Sequence, residues 1–388
     1  MTPRPKRPDY LVFGQPLIEE EEIQEVTASL RAAWLGTGPK VAEFEKRVAA
    51  YKGVKHAVAV NSCTAGLHLS CLALGLKPGD EVIVPAMTFC ATINAVVHAG
   101  ATPVLADVQP DTFNIDPESV RRKITPRTRA IMPVHFAGRP CDMEALLGVA
   151  EEHRLKIIED CAHAIETEYH GRKAGMFGQC GVLSFYSTKN IVTGEGGVVL
   201  TNDPNVAARI KMLALHGMSQ DAWKRFSDDG YKHYEVVEIG FKYNMMDLQA
   251  AIGMHQIRRV EDYWSRRLKV WEEYNRAFAD LPVVLPAPFE PDTRHALHLY
   301  TLLIDPAEAG ISRDAFIVAL HRQNIGTGVH YRQIPSHPVY RERFGWRSED
   351  YPAAQSIGER TVSLPLSAKL TPADVASVVE VVRDTLGR

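Results

Sequence analysis

Short apolar, β-branched runs alternate with segments of helical period through the first two thirds of the chain. HAVAV at 56–60, EVIVP at 81–85, TPVLADV at 102–108, RAIMPVHF at 129–136, KIIED at 156–160, GVLSFYS at 181–187 and GGVVLT at 196–201 read as strands. Between them, MEALLGVAEEH at 143–153 and NVAARIKMLALHG at 205–217 repeat apolar positions at the spacing of one helix face. Strands that are apolar throughout and separated by helices predict a largely parallel sheet covered on both sides. In such sheets ligands gather outside the carboxyl ends of the strands, where the loops after 60, 85, 160 and 187 converge.

The pattern changes near residue 246. A long helical segment, MMDLQAAIGMHQIRRVEDYWSRRLKVWEEYNRAFADL, runs into proline-rich VVLPAPFEPDTRH at 283–295. It reads as the bridge to a smaller α+β domain, with domains at 1–262 and 263–388. In the second, ALHLYTLLI (296–304) predicts a strand, SRDAFIVALHRQNI (312–325) a helix capped by Ser312, and TPADVASVVEVVRDTL (371–386) a helix capped by Thr371.

Composition narrows the function classes. The 388 residues are 45% hydrophobic, enough for a large domain and a smaller one. Lys and Arg number 44 against 47 Asp and Glu, so no one-signed field draws in nucleic acid or an anionic membrane. The six cysteines form no CxxC pair and no zinc-ligand spacing, which predicts reduced thiols, no structural metal and a cytoplasmic protein. No apolar run approaches the roughly 20 residues that span a bilayer, and no apolar stretch follows the basic N-terminus, so a soluble, unexported protein is expected.

Three features at strand ends carry chemistry. Asp160 closes KIIED and precedes Cys161-Ala162-His163, as a helix cap or as an acid facing a ligand. HAVAV runs into Asn61-Ser62-Cys63-Thr64-Ala65-Gly66 and then a helical segment, a strand, turn and helix N-terminus whose free N–H groups suit a phosphate. That turn matches neither a P-loop nor GxGxxG, so ATP and dinucleotide readings lose support. Lys189 lies in SFYSTKNIVTGEGG, where Gly196 and Gly197 permit a tight turn and close backbone approach. A phosphate cradle, an anion for a pyridine nitrogen and an amine to form a Schiff base are together what pyridoxal 5'-phosphate (PLP) requires.

The same segments resemble the DegT/StrS family of PLP-dependent nucleotide-sugar aminotransferases. The resemblance rests on NSCTAGLHLS, GDEVIVPAMTFCAT, ATPVLADV, ITPRTRAIMPVHFAG, IIEDCAHA, SFYSTKNIVTGEGG, LHGMSQDAWKRF, GFKYNMMDLQAAIG, NIGTGVHYR and SLPL, from about residue 14 to 386. It implies fold type I of the PLP-dependent transferases (aspartate aminotransferase-like), with a large, mostly parallel sheet flanked by helices and a small C-terminal α+β domain. Lys189 would carry PLP and shuttle the proton between the donor's α-carbon and the cofactor. Asp160 would pair with the pyridinium nitrogen, and Phe89 and Ala162 would pack on the two ring faces. Cys63, Thr64 and Ser184 would hold the phosphate, and His163 would lie near the ring hydroxyl. A core phenylalanine and a satisfied core histidine are the alternative readings of Phe89 and His163. Asn244 would reach the phosphate of a neighbouring subunit's cofactor, making the active site a property of a homodimer. Lys242, Lys224 and Arg225 would meet the substrate's diphosphate, or form a solvated basic turn. His330 and Tyr331 would be substrate-side residues of the small domain, His298 structural, and His216 is left without a role.

Within the family, LHGMSQDAWKRF, GFKYN and VYRERF resemble the branch containing UDP-4-amino-4-deoxy-L-arabinose:oxoglutarate aminotransferase. The chain departs from it at Phe89, where a tryptophan is usual, and in GWRSEDYPAAQSIGER after VYRERF. The resemblance implies amino transfer, with glutamate as donor and a UDP-linked 4-keto sugar as acceptor; a UDP-, TDP- or GDP-linked 4-keto-6-deoxyhexose fits the same motifs. Cell-surface polysaccharide, lipopolysaccharide or antibiotic-sugar biosynthesis would be the setting. Relatives with histidine in place of the lysine are dehydratases, so Lys189 favours transamination over that alternative. A non-catalytic PLP-binding regulator is the other alternative, disfavoured by Lys189, Asp160, Ser184 and Asn244 together. A nicotinamide oxidoreductase lacks its glycine turn.

Overall fold

The computed structural model describes residues 6–219 and 234–387. Helices α1 (Glu20–Arg31) and α2 (Pro39–Lys52) precede a regular alternation of β1 (His56–Val60), α3 (Cys63–Ala73), β2 (Glu81–Pro85), α4 (Cys90–His98), β3 (Thr102–Ala106), α5 (Pro117–Lys123), β4 (Thr128–Ile131), α6 (Met143–His153) and β5 (Lys156–Cys161). A short hairpin, β6 (Glu168–Tyr169) and β7 (Arg172–Lys173), leads to β8 (Cys180–Ser184), β9 (Gly197–Thr201) and α7 (Pro204–Ala214).

Seven of these strands form one sheet in the order β1-β9-β8-β5-β4-β2-β3. All pairings from β3 across to β8 are parallel, and β9 runs antiparallel to both β8 and β1. Strand β1 is therefore parallel to β5 and β8. The chain leaves all three at the same edge, and β9 enters there, with Gly197 opposite both Ser184 and Val60. Every residue of β2 and of β9 is buried, which explains apolar runs without polar alternation.

Three strands are shorter than their apolar runs predict, ending at Ala106, Ile131 and Ser184. After Ile131, Pro133 has no N–H for the ladder, and the chain coils into a single tight turn at Phe136–Gly138. After Ser184 it departs to carry the loop that holds Lys189.

The helical pattern from 246 is two helices, α8 (Asp247–Arg258) and α9 (Val260–Phe278), because Arg259 leaves helical geometry at φ −99° and ψ 5°. Then come β10 (Thr293–Arg294), β11 (Tyr300–Leu303), α10 (Pro306–Ala309), α11 (Arg313–Arg322), α12 (Pro338–Phe344), α13 (Pro352–Arg360), β12 (Thr361–Leu364) and α14 (Pro372–Thr385). Ser312 and Thr371 cap α11 and α14 as expected, accepting from the amides of Ala315 and Asp374. Strand β11 begins four residues late because Ala296 and His298 donate their amides to Gly138 and Ala137 instead. That detour brings His298 to the sheet edge.

A separate apolar cluster, which includes Trp271, Tyr274, Phe316 and Val378, underlies the C-terminal part. Leu11 joins it from the N-terminal segment and bridges to Ile325. All six cysteines are free thiols. Among the described residues, no helix is long and apolar enough to cross a membrane.

Candidate active site

A cavity of about 480 Å³ opens at the carboxyl edge of the sheet. Lys189 reaches it from the loop between β8 and β9. The loop is closed by Lys189 N–H donating to Tyr186 O at 2.9 Å and Thr193 N–H to Phe185 O at 2.8 Å. Gly194 takes a φ of +84°, and a Cβ on Gly196 would lie 2.3 Å from Thr193 Oγ1. A Cβ on Gly197 would lie 2.5 Å from the carbonyl carbon of Ser62 and 2.6 Å from the amide nitrogen of Cys63. The glycines thus let the lysine loop and the start of β9 press against the turn before α3. Burial lowers the pKa of Lys189 to about 8, against the opposing effect of Cys63 and Asp160.

Asp160 stands near the end of β5. One carboxylate oxygen accepts from Thr92 Oγ1 at 2.9 Å and the other from Ala162 N–H at 3.1 Å. Burial pushes its pKa above the usual carboxylate range, and those two donors and Lys189 only partly offset it. Among the described residues this buried carboxylate has no ion-pair partner, only the nearby charge of Lys189.

The turn Ser62-Cys63-Thr64 opens α3. The Ser62 hydroxyl accepts from Ala65 N–H at 3.1 Å, while the amides of Cys63 and Thr64 at the first helical turn have no partner among the described residues. Both residues line the cavity with Ser184. Phe89 lies at the rim, 56% exposed, with Ala162 on the same cavity wall. An aromatic face open to solvent beside a polar cavity calls for a planar partner.

His163 and Tyr331 join the site from opposite parts of the chain. Ala137 N–H donates to His163 Nδ1 at 3.2 Å, so the ring proton sits on Nε2, 3.0 Å from the Tyr331 hydroxyl. Burial and the charge of Lys189 hold His163 neutral, with a pKa well below the usual value. The Tyr331 oxygen accepts that proton, leaving its own hydroxyl hydrogen to donate elsewhere. His330 is neutral too, its pKa lowered to about 3 by burial and by Lys189, with Nδ1 2.8 Å from Ser363 Oγ.

These features fit PLP. The cavity offers free amides at a helix N-terminus for a phosphate, a buried anion lacking a cation, an uncovered aromatic face, and a half-buried amine.

The cavity gathers Cys63, Thr64, Phe89, Asp160, Ala162, His163, Ser184, Lys189, His330 and Tyr331, all anticipated from the sequence. Two anticipated residues lie elsewhere. Asn244 lines a different cleft beside Trp34, its Nδ2 donating to Thr37 Oγ1 at 2.6 Å and its buried Oδ1 without a partner among the described residues. Lys242 is exposed, and among the described residues only its carbonyl is engaged, by Asn61. Lys224 and Arg225 lie outside the described residues.

The structure adds Phe13, Thr188 and His298 to the cavity wall. Phe13 stacks on His330 at 5.2 Å, brought there by the bridge between Leu11 and Ile325. No local pattern announces such a contact across more than 300 residues. The signal for His298 was its place near the start of an apolar run, just after the proline-rich linker, which also suits a structural residue.

Fold and site together define a PLP-binding α/β protein of the aminotransferase type. The profile of the DegT/DnrJ/EryC1/StrS aminotransferase family matches residues 16–383, and the chain belongs to this family of PLP-dependent sugar aminotransferases. It is 48% identical over 380 residues to the spore coat polysaccharide biosynthesis protein SpsC of Bacillus subtilis (strain 168), covering 98% of each chain. Spr1654 of Streptococcus pneumoniae, solved in its PMP form, superposes with a TM-score of 0.91 at 33% identity, covering 97% of this chain and 99% of that one. DesI, solved in the presence of its TDP-sugar product, superposes with a TM-score of 0.88 at 34% identity, covering 99% of this chain and 95% of that one.

Proposed function

We propose that this chain transfers an amino group from glutamate to a nucleotide-linked keto sugar, a UDP-linked 4-keto sugar, destined for a cell-surface polysaccharide. The observation that carries the reading is a half-buried lysine and a buried, cation-seeking carboxylate lining one cavity under an open aromatic face. The likeness to SpsC supports the polysaccharide setting, and the likeness to DesI supports a nucleotide-linked sugar.

The amides of Cys63 and Thr64 and the hydroxyls of Thr64 and Ser184 hold the phosphate. Asp160 keeps the ring nitrogen protonated, its carboxylate aimed by Thr92 and the Ala162 amide. Phe89 and Ala162 would enclose the ring, and His163 would stand on its hydroxyl side. Bound there, the cofactor would supply an electron sink for the donor's α-carbon. Lys189 would anchor the cofactor, and its Nζ, when free, would take the proton from the donor's α-carbon. A pKa near 8 suits that exchange near neutral pH. His330 and Tyr331 face the sugar, and Lys242, exposed outside the cavity, is left for the substrate's diphosphate. Asn244 lies outside this chain's own cavity, which supports its service to the cofactor phosphate of a second subunit.

The test is to incubate the protein with PLP, glutamate and each of a panel of UDP-, TDP- and GDP-linked 4-keto sugars, with products read by mass spectrometry. One UDP-linked 4-keto sugar should give its amino derivative and an equal amount of 2-oxoglutarate. Loss of water from the sugar without gain of nitrogen contradicts amino transfer. Amination confined to a TDP- or GDP-sugar contradicts the nucleotide.

A further inference from the structure

Three imidazoles line the cavity, and their protons are not equally settled. His163 has both ring nitrogens engaged, by Ala137 N–H and by the Tyr331 hydroxyl. His330 meets the Ser363 hydroxyl, which can donate or accept. His298 is different, because a chain of buried groups decides which of its nitrogens carries the proton.

The chain begins at Arg267, 1% exposed, whose Nη2 donates to Glu166 Oε1 at 2.5 Å. Glu166 is fully buried and accepts from Asn190 Nδ2 at 2.8 Å through its other oxygen. Asn190 Nδ2 also donates to Ala296 O at 2.8 Å. Both partners of Nδ2 are acceptors, so the Asn190 amide cannot be turned over. Its Oδ1 therefore faces His298 Nδ1, 3.0 Å away, and must accept from it. Neutral imidazole has one proton, and Nδ1 holds it. Nε2 is then a lone pair, with no hydrogen-bond partner among the described residues, on a ring that lines the cavity beside Lys189.

We propose that His298 is a positioning residue: the Arg267–Glu166–Asn190 chain fixes its tautomer, and its Nε2 accepts a hydrogen bond from the ε-ammonium of Lys189 when that lysine is free of cofactor. The inference rests on Lys189 being the cofactor lysine. Asn190 follows Lys189 directly in the chain, so one loop sets both the amine and the orientation of its acceptor. The groups that act on Lys189 are Asp160 and Cys63, and the neutral rings of His163, His298 and His330 feel its charge. His298 in turn feels Lys189, His330, Arg267 and His295, which together with burial keep it from becoming a cation. A fixed neutral acceptor favours the charged lysine, partly opposing the desolvation that lowers its pKa.

The test uses apoprotein and follows capture of PLP by visible absorbance across pH, with Lys189→Ala apoprotein as the blank. The wild-type rate should rise through a midpoint near 8. In His298→Phe the midpoint should fall by about one pH unit, the size of one ordinary hydrogen bond. His298→Gln, which restores an acceptor, should return it toward wild type. Nitrogen-15 NMR of the wild-type apoprotein should find the His298 proton on Nδ1. An unmoved midpoint in a folded His298→Phe protein, or a proton on Nε2 in wild type, overturns the proposal. Capture by Lys189→Ala that matches wild type instead overturns the assignment of Lys189, a separate result.

Discussion

Lys189 and Asp160 are each held in a state that solvent would not choose, the amine partly desolvated and the carboxylate buried without an ion-pair partner among the described residues. The partner for that unmet charge on Asp160 would be the ring nitrogen of the cofactor. Asp160→Asn should therefore weaken PLP binding by about 10- to 100-fold, the usual worth of a charged hydrogen bond. The same change should raise the melting temperature of the apoprotein. Burial raises the folded pKa of Asp160, so its ionisation disfavours the folded state above that pKa, and the disfavour fades as pH falls toward the unfolded value. The stabilisation by asparagine should thus be full at neutral pH and vanish in acid. Calorimetry of both apoproteins across pH checks the sign. Equal PLP affinity in both proteins contradicts the role of Asp160.

At the scale of elements, the site depends on β9 passing within touching distance of the turn before α3. Gly197→Ala puts a methyl group 2.5 Å from the backbone of Ser62, with no flexible side chain there to give way. It should destabilise the protein by about 1–3 kcal/mol and loosen PLP binding by shifting the free amides of Cys63 and Thr64. Denaturant melts and PLP titrations read the two effects separately. This scale also shows what could be read from the chain. The strands, their largely parallel arrangement and the residues at their ends were legible, because a doubly covered sheet writes uninterrupted apolar runs with ligand-facing loops just after them; the antiparallel β9 was not. Ser312 and Thr371 were legible as caps, since capping chemistry is local. The break at Arg259 was hidden, as apolar residues keep helical spacing across it. The place of His298 was hidden as well, because its amide pairs with Ala137 rather than continuing β11. Phe13 owes its position to a bridge between the two ends of the chain, which no local period encodes.

For the whole molecule, a single chain leaves Leu30, Trp34, Leu35, Val236, Val237, Ile239 and Met246 exposed, and Trp34 lines the same cleft as Asn244. Apolar surface of this kind, beside an asparagine whose buried carbonyl has no partner, is what an interface with a second copy would cover. If Asn244 serves the neighbouring site, Lys189→Ala and Asn244→Ala subunits should complement one another. Each mixed dimer holds one cavity with both residues intact, so mixing two nearly inactive proteins should restore activity. No gain on mixing contradicts a shared site. The central claim, that one cavity built around Lys189 runs both halves of an amino transfer, is tested most directly by the visible spectrum of the PLP-loaded protein. Glutamate should bleach the cofactor colour, a UDP-linked 4-keto sugar should then restore it, and Lys189→Ala should do neither. Colour that glutamate leaves unchanged, or a Lys189→Ala protein that cycles like wild type, contradicts the account.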